Sequence, residues 1–334
     1  MNDQILVTGG LGYIGSHTVL DLVAKGSEPI IIDDCSNSNI EVLHKLEKIT
    51  GKKIQFYNAD FSDLISLDMI FKNHQINSVI HFAAFKSVPD SIQNPLIYYA
   101  NNIDNLKIFA EFIKEKQIKS FVFSSSASIY SKTNNFPVNE SGILGYENPY
   151  AFTKLCGEWL IKELFSNSQK INVGILRYFN PIGNHSSGFI GDELTESSTN
   201  IMPLIFKSII NKTNFKIFGS DYDTDDGSPV RDYIHVSDLA ESHTLMCEFL
   251  KSNQGIHTFN VGLGFGVSVK QLVNKFEEVS DLSLDAKVED RREGDLPICY
   301  ADNSSIVSKL GWKPKYDLGQ MCHDSFEFFK KNYY

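Results

Sequence analysis

Three side chains in this chain have the types and spacing for moving a proton: Ser126, Tyr150 and Lys154. Tyr150 and Lys154 stand four apart in Tyr150-Ala151-Phe152-Thr153-Lys154, so on a helix they share one face about a turn apart. A free tyrosine has a pKa near about 10, too high for a base at neutral pH. A neighbouring ammonium favours the phenolate and lowers that value. Ser126 ends the run Ser120-Phe121-Val122-Phe123-Ser124-Ser125-Ser126 and can hold a substrate hydroxyl, passing its proton to Tyr150. The pair decides little alone, since Tyr-x-x-x-Lys arises by chance in many helices. Its weight rests on the elements around it.

The first of these is at the N-terminus. Gln4-Ile5-Leu6-Val7 reads as a short buried strand and runs into Thr8-Gly9-Gly10-Leu11-Gly12-Tyr13-Ile14-Gly15-Ser16. A helix is expected over residues 13–25, with Gly26 as its stop. Pro29-Ile30-Ile31-Ile32-Asp33-Asp34 is a second strand ending in acids. Strand, glycine turn, helix, strand and acid in this order are what a dinucleotide site requires. Glycines let the backbone approach a pyrophosphate, and the helix N-terminus supplies donors and a favourable dipole. Asp33 can accept from the adenosine ribose hydroxyls, and no arginine follows closely to take a 2′-phosphate, so NAD is expected rather than NADP. The positive charge of an oxidised nicotinamide would add to that of Lys154 in favouring the Tyr150 phenolate.

The alternation continues. Residues 53–57 form a strand leading to Asp60, a candidate acid at the adenine edge. Residues 77–84 form another, leaving Ala83 and Ala84 at its end, and Lys86 follows within reach of cofactor or substrate. A long helix is expected over 98–117, with Asn101 near its start placed to bond backbone at the cofactor. The serine strand, a Tyr150 helix to about residue 166 and a strand at 172–179 complete the series. The fold class is therefore α/β, a Rossmann-type doubly wound parallel sheet with ligands at its carboxyl ends, and a smaller mixed α/β C-terminal substrate domain. The stretch 183–200 is polar and loop-like and marks the boundary. The expected domains are 1–180, to which 236–262 returns, and 181–334.

Composition narrows the class. The 334 residues are 42% hydrophobic and 22% charged, as in a soluble globular protein with a sizeable core. A net charge of −10 argues against nucleic acid or an anionic membrane as a partner. The start lacks a signal peptide's basic and apolar regions, and no apolar run reaches the roughly 18 residues of a membrane span. Cys35, Cys156, Cys247, Cys299 and Cys322 are scattered, and the nine histidines show no metal-ligand spacing. These features imply a metal-free cytoplasmic protein with reduced thiols.

Several blocks together resemble the UDP-glucose 4-epimerase family of extended short-chain dehydrogenases/reductases. They are the glycine turn with Tyr13-Ile14-Gly15-Ser16-His17, the serines with Tyr150 and Lys154, Leu176-Arg177-Tyr178-Phe179-Asn180-Pro181, Arg231-Asp232-Tyr233-Ile234-His235-Val236, and Arg291-Arg292-Glu293-Gly294-Asp295-Leu296-Pro297. The resemblance implies NAD retained through the cycle, Tyr150 as the base at the sugar's 4-hydroxyl, and a transient 4-keto sugar that turns over and is reduced on its other face. It implies cofactor contacts from Gly9, Gly12, Tyr13, Ile14, Gly15, Asp33, Asp34, Asn37, Ser38, Asp60, Phe61, Phe82, Ala83, Ala84, Lys86, Asn101, Ser124, Tyr150, Lys154, Tyr178 and Phe179. Substrate contacts would come from Lys86, Ser126, Tyr150, Asn180, Asn200, Ile201, Phe218, Arg231, Tyr233, Arg292, Asp295 and Cys299. Arg231 and Arg292 suit a diphosphate because guanidinium presents paired planar donors, although a surface ion pair is the plainer reading of an arginine alone.

The sequence departs from the family in places. Ser131 follows Tyr130 where a glycine is common, and Asp34 stands where an amide is common. Cys299 occupies a position that is tyrosine in some members, and its small side chain leaves room for an N-acetyl group on carbon 2, so UDP-GlcNAc and UDP-GalNAc are expected as further substrates. A buried thiol packing as a small hydrophobe is the plainer alternative. Related dehydratases carry an Asp-Glu pair after the serines, whereas this chain has Ala127-Ser128-Ile129. A uronate decarboxylase or epimerase would want a carboxylate site that is not identifiable, and a regulator with a spent site would be expected to lose one of the trio. The resemblance also implies a homodimer through paired helices, although Leu155, Trp159 and Ile161 read equally well as core.

Overall fold

A computed structural model describes residues 3–166, 170–196, 198–292 and 295–334; Glu293 and Gly294 of the late arginine block lie outside them. Most of the apolar runs become strands buried on both faces, as a parallel sheet between helical layers demands, while the run at 55–58 lies at an edge and is only partly covered. In chain order the first half is β1 (Gln4–Thr8), α1 (Tyr13–Ala24), β2 (Glu28–Asp33), α2 (Glu41–Thr50), β3 (Gln55–Asn58), α3 (Leu64–Asn73), β4 (Ile76–His81), α4 (Val88–Gln93), α5 (Pro95–Tyr99), a π-helical turn (Ala100–Asp104), α6 (Asn105–Lys116), β5 (Ser120–Ser126), a 3₁₀ turn (Ala127–Ile129), α7 (Pro149–Phe165) and β6 (Asn172–Tyr178). The second half is β7 (Asn180–Ile182), α8 (Ile201–Asn211), β8 (Lys216–Phe218), β9 (Val230–Arg231), β10 (Tyr233–His235), α9 (Val236–Leu250), β11 (Ile256–Val261), β12 (Val267–Ser268), α10 (Val269–Ser280), β13 (Lys287–Glu289), β14 (Ile298–Cys299), α11 (Ser304–Leu310) and α12 (Leu318–Asn332).

The main sheet has the order β11-β6-β5-β4-β1-β2-β3. β1 pairs in parallel with both β2 and β4, and β4 with β5. The chain leaves β1 toward one edge and returns at β4 to build toward the other. That reversal is the switch point at which doubly wound sheets bind ligands.

Two compact units divide the chain. One comprises residues up to 130, 144–177 and 240–259; the other comprises 131–143, 178–239 and 260–334. The first has its core among Leu6, Ile30, Val79, Phe109, Phe121, Phe123 and Ile161. The second has its own around Phe206, Ile217, Tyr233, Phe276 and Phe329. Residues 131–143 belong to the second unit although they lie between β5 and α7 in sequence. There Val138 bridges to Ala301, and its carbonyl accepts from Asn260 Nδ2 at 2.8 Å.

The helix expected over 98–117 is not one regular helix. It opens earlier, at Pro95, where a proline loses nothing because that N–H has no helical partner. The π turn at Ala100–Asp104 then inserts an extra residue before α6. α4 was not foreseen; Ser87 caps it by accepting from Asp90 N. The stripe Leu155, Trp159, Ile161 is split: Leu155 and Ile161 are core, while Trp159 is half exposed.

Candidate active site

In the first unit the glycine turn joins the carboxyl end of β1 to α1. Gly9 has φ +69°, and a Cβ there would sit 2.8 Å from Ala83 N, while one on Gly15 would collide with the Gly9 carbonyl. The turn must be bare backbone. Gly12 caps α1 without a side-chain hydrogen bond, so the first-turn N–H groups are left as donors for an anion. Asp33, at the end of β2, accepts from Leu11 N at 3.0 Å, Cys35 N at 3.0 Å and Ser38 Oγ at 2.7 Å. It thus ties the turn to β2, and its Oδ2, which accepts one of the three bonds, keeps a lone pair for a ribose hydroxyl. This cradle and its acid fit NAD, and an acid at this place disfavours a 2′-phosphate.

The other expected cofactor positions divide into those the fold gathers here and those it uses otherwise. Phe82 N donates to the Thr8 carbonyl at 3.1 Å and Ala83 N to Thr8 Oγ1 at 3.3 Å, which holds the end of β4, with Ala84 next along, against the glycine turn. Lys86 Nζ lies 5.9 Å from the centre of the Tyr13 ring. Asp34 accepts from the backbone and hydroxyl of Ser36 in its own loop, beside the exposed Asn37. Asp60 does the same for Ser62. The Phe61 ring is core, 4.9 Å from His81 and 5.8 Å from Phe109.

Asn101 stands beside a second asparagine in the π turn. Asn101 donates to Asn102 Oδ1, and it is Asn102 that bonds backbone: its Oδ1 accepts from Phe85 N and its Nδ2 donates to the Phe85 carbonyl, each at 2.9 Å. Asn102 also donates to Thr153 Oγ1 on α7 at 3.1 Å.

β5 and α7 bring the catalytic candidates together. Asn148 caps α7 by accepting from Ala151 N, and Pro149 takes the first turn, so Tyr150 enters the helix in a fixed orientation. Ser126 Oγ accepts from Ser128 N at 3.2 Å and Ser128 Oγ at 2.9 Å, and it stands near enough to the Tyr150 phenol to favour its ionised form. Lys154 Nζ donates to the Ser124 carbonyl at 2.9 Å and lies 5.2 Å from the Phe123 ring centre. Ser124 Oγ pairs with His243 Nε2 at 2.8 Å.

The electrostatics correct the sequence expectation. Burial pushes the Tyr150 phenol up to about 12, and the nearby Ser126 hydroxyl pulls the other way without overcoming it. Burial pushes Lys154 down to about 8. The protein alone does not lower the phenol as the pairing with lysine suggested, because desolvation outweighs attraction when the ammonium is committed to a carbonyl.

In the second unit the substrate candidates lie on short strands. Arg231 on β9 forms an ion pair with Asp295, and its NH1 donates to the Val230 carbonyl at 2.8 Å. Arg292 lies over the Phe218 ring at 3.9 Å. Cys299 is the register partner of Arg231 across β14 and β9, and burial pushes its thiol up to about 11. Asn180 on β7 is the register partner of Tyr233 on β10. The Tyr233 ring packs into the core of the second unit. Asn200 precedes Ile201 at the start of α8 and donates to Asp192 Oδ2 at 2.7 Å. Tyr178 ends β6, and Phe179 N donates to the Val261 carbonyl. Ser131 takes no left-handed backbone, so the position common to glycine needs none here; it accepts from Thr133 N.

The sequence reading passed over Asp232, which lay inside a quoted motif. It is fully buried and accepts from Leu263 N, Gly264 N and Ala301 N at 2.6, 3.2 and 3.0 Å, fixing the strands beside Arg231. Burial raises its carboxyl to about 6.

A family model described as GDP-mannose 4,6 dehydratase matches residues 6–325. The UDP-glucose 4-epimerase of Bacillus subtilis is 42% identical over 329 residues, covering 98% of this chain and 97% of that one. The chain belongs to the UDP-glucose 4-epimerase family. Among solved structures, the UDP-glucose 4-epimerase of Stenotrophomonas maltophila, with bound NAD and formylated UDP-arabinopyranose, is 36% identical with a TM-score of 0.96, covering 99% and 98% of the two chains. That of Bifidobacterium longum, in complex with NAD+ and UDP, is 34% identical with a TM-score of 0.93 and covers 98% of each. Among the described residues no helix is long and apolar enough to cross a membrane, and no cluster of His, Cys, Asp or Glu could hold a metal.

Proposed function

We propose that this protein interconverts UDP-glucose and UDP-galactose through a transient 4-keto sugar with tightly held NAD. The observation that carries this reading is that Tyr150 and Lys154 lie buried one turn apart on α7, with the Lys154 ammonium tied to the serine end of β5. The kinship with named epimerases supports the substrate. NAD would be held by the Gly9–Gly15 cradle, with Asp33 at the ribose and Lys86 and Ser124 nearby. It supplies a hydride acceptor and donor, and a positive charge that favours the Tyr150 phenolate. Ser126 holds the sugar's 4-hydroxyl, Tyr150 takes its proton and later returns one, and Lys154 keeps positive charge beside the phenol.

UDP would be held by the second unit, with Arg231 and Arg292 on the diphosphate and Asp295 on the uridine ribose. Asn180, Asn200, Ile201, Phe218 and Tyr233 would complete its hold. The domains proposed for the two ligands are therefore 1–180 with 236–262, and 181–334, with 131–143 joining the latter. Purified protein given UDP-galactose and no added cofactor should form UDP-glucose and release NAD on denaturation. Absence of UDP-glucose would sink the reading.

The small thiol of Cys299 supports a second substrate pair, UDP-GlcNAc and UDP-GalNAc. Their interconversion should be lost in Cys299→Tyr; no turnover by the unmodified protein refutes this. Dehydration is the weaker alternative, because Ala127–Ile129 is a 3₁₀ turn bearing no acid. A homodimer is proposed through the face carrying Ile92, Leu96, Ile97 and Trp159, all exposed apolar side chains on α4, α5 and α7. The proposed location is the cytoplasm.

A further inference from the structure

Three consecutive serines on β5 meet three residues spaced by four on α7. Ser126 stands beside Tyr150, the Ser124 carbonyl accepts from Lys154, and the Ser125 hydroxyl donates to Glu158 Oε1 at 2.6 Å. Strand side chains alternate, so the Ser124 hydroxyl points the other way, to His243, while Ser125 points to α7. Glu158 is fully buried, and the Arg177 guanidinium grips it at both oxygens, Nε to Oε1 at 2.8 Å and NH2 to Oε2 at 2.7 Å. Arg177 comes from β6, beside β5 in the sheet, and its NH1 donates to Tyr130 Oη at 3.0 Å. Lys162 completes the cluster, at 3.0 Å from Oε2. Burial would raise the Glu158 carboxyl, but Arg177, Lys162 and Ser125 hold it below its ordinary range.

We propose that Glu158, gripped by Arg177 and reached by Ser125, is a positioning residue that sets the register of α7 on β5 and so aims Tyr150 and Lys154. This rests on the epimerase reading for its consequence. Because Tyr150, Lys154 and Glu158 recur at one spacing, sliding α7 by a turn would keep its packing face but exchange their places. Such a slip puts the Lys154 ammonium against the buried Arg177 guanidinium, and like charges there forbid it. Close packing sharpens the choice. Gly157 lets α7 approach so nearly that a Cβ would sit 2.8 Å from the Phe123 ring.

Ser125→Ala removes the link to β5 and leaves the Glu158–Arg177 pair whole. In the holoenzyme it should lower kcat on UDP-galactose by about tenfold to 100-fold, as for a misaimed base, with KM and NAD content within about twofold. Its melting temperature should stay within about 4 °C of wild type. The Tyr150 phenol should titrate at higher pH, read as an ultraviolet difference against Tyr150→Phe in the same background, because it moves away from the Ser126 hydroxyl and the Lys154 ammonium. Glu158→Gln should lower kcat further, and Ser125→Ala added to it should cost no more than about twofold. An unchanged kcat and phenol titration in Ser125→Ala, or full additivity of the two changes, overturns the proposal. If wild type fails to epimerise, the functional reading falls, and the phenol titration still decides the register.

Discussion

Tyr150 and Lys154 show how far two side chains can be read without their surroundings. Their spacing states that they share a helical face, and it cannot state that both are buried. Burial moves the phenol up to about 12 and the ammonium down to about 8, each toward its neutral form. The base form of Tyr150 is therefore scarce at neutral pH until positive charge stands beside it. Tyr150→Phe should cut kcat by roughly 10²–10⁴-fold, the range for a lost general base, with NAD content unchanged. Lys154→Met removes one of the two positive charges near the phenol, so its activity should be low at pH 7 and climb through the alkaline range while wild type levels off. A pH profile of kcat for the two proteins checks this; parallel profiles would deny Lys154 any part in tuning the base.

Elements were legible where their signals are local. The strand ending in Ser126 announced itself by an apolar run, and the glycine turn by its flanking strands and Asp33. The π turn at Ala100–Asp104 was not legible, because one inserted residue leaves no trace in hydrophobic periodicity yet rotates everything before it relative to α6. Within it, Asn102 ties Phe85 to Thr153. Asn102→Ala should destabilise the protein by about 2–3 kcal/mol, since it strips buried backbone and hydroxyl groups of partners, while Asn101→Ala should cost under about 0.5 kcal/mol. Denaturant unfolding separates them. Glu158 was equally invisible, for it lies on α7 and its partner Arg177 on β6. Its folded pKa is depressed from an unfolded value of 4.5, so the stability it contributes is full above that value and is lost as pH falls through the folded one. Glu158→Gln takes the carboxylate from a buried guanidinium, at a cost of about 3–5 kcal/mol at neutral pH, and should flatten the acid limb of the stability profile.

At the scale of the molecule, sequence order misassigns the segment 131–143, because its partners Asn260 and Ala301 are more than a hundred residues away and no local pattern announces them. The division into two units carries a consequence for ligand binding. The residues proposed for NAD are concentrated in the first unit, and the arginines proposed for the diphosphate in the second. Loss of one should therefore leave the other's ligand in place. Arg292 offers the cleaner case, since Arg231 is already engaged with Asp295 and its removal would free a carboxylate. Stacking on Phe218 holds the Arg292 guanidinium flat, so an alanine there removes charge and paired donors together. Hydrogen bonds to charged groups contribute about 1.5–3 kcal/mol, so UDP should bind roughly 10- to 100-fold more weakly to Arg292→Ala. Calorimetry with UDP measures that loss, and NAD released on denaturation should equal that of wild type. The reciprocal variant, Tyr150→Phe, should bind UDP with unchanged affinity. Loss of NAD from Arg292→Ala, or of UDP affinity from Tyr150→Phe, would show that the two ligands are not held by separate sets of residues.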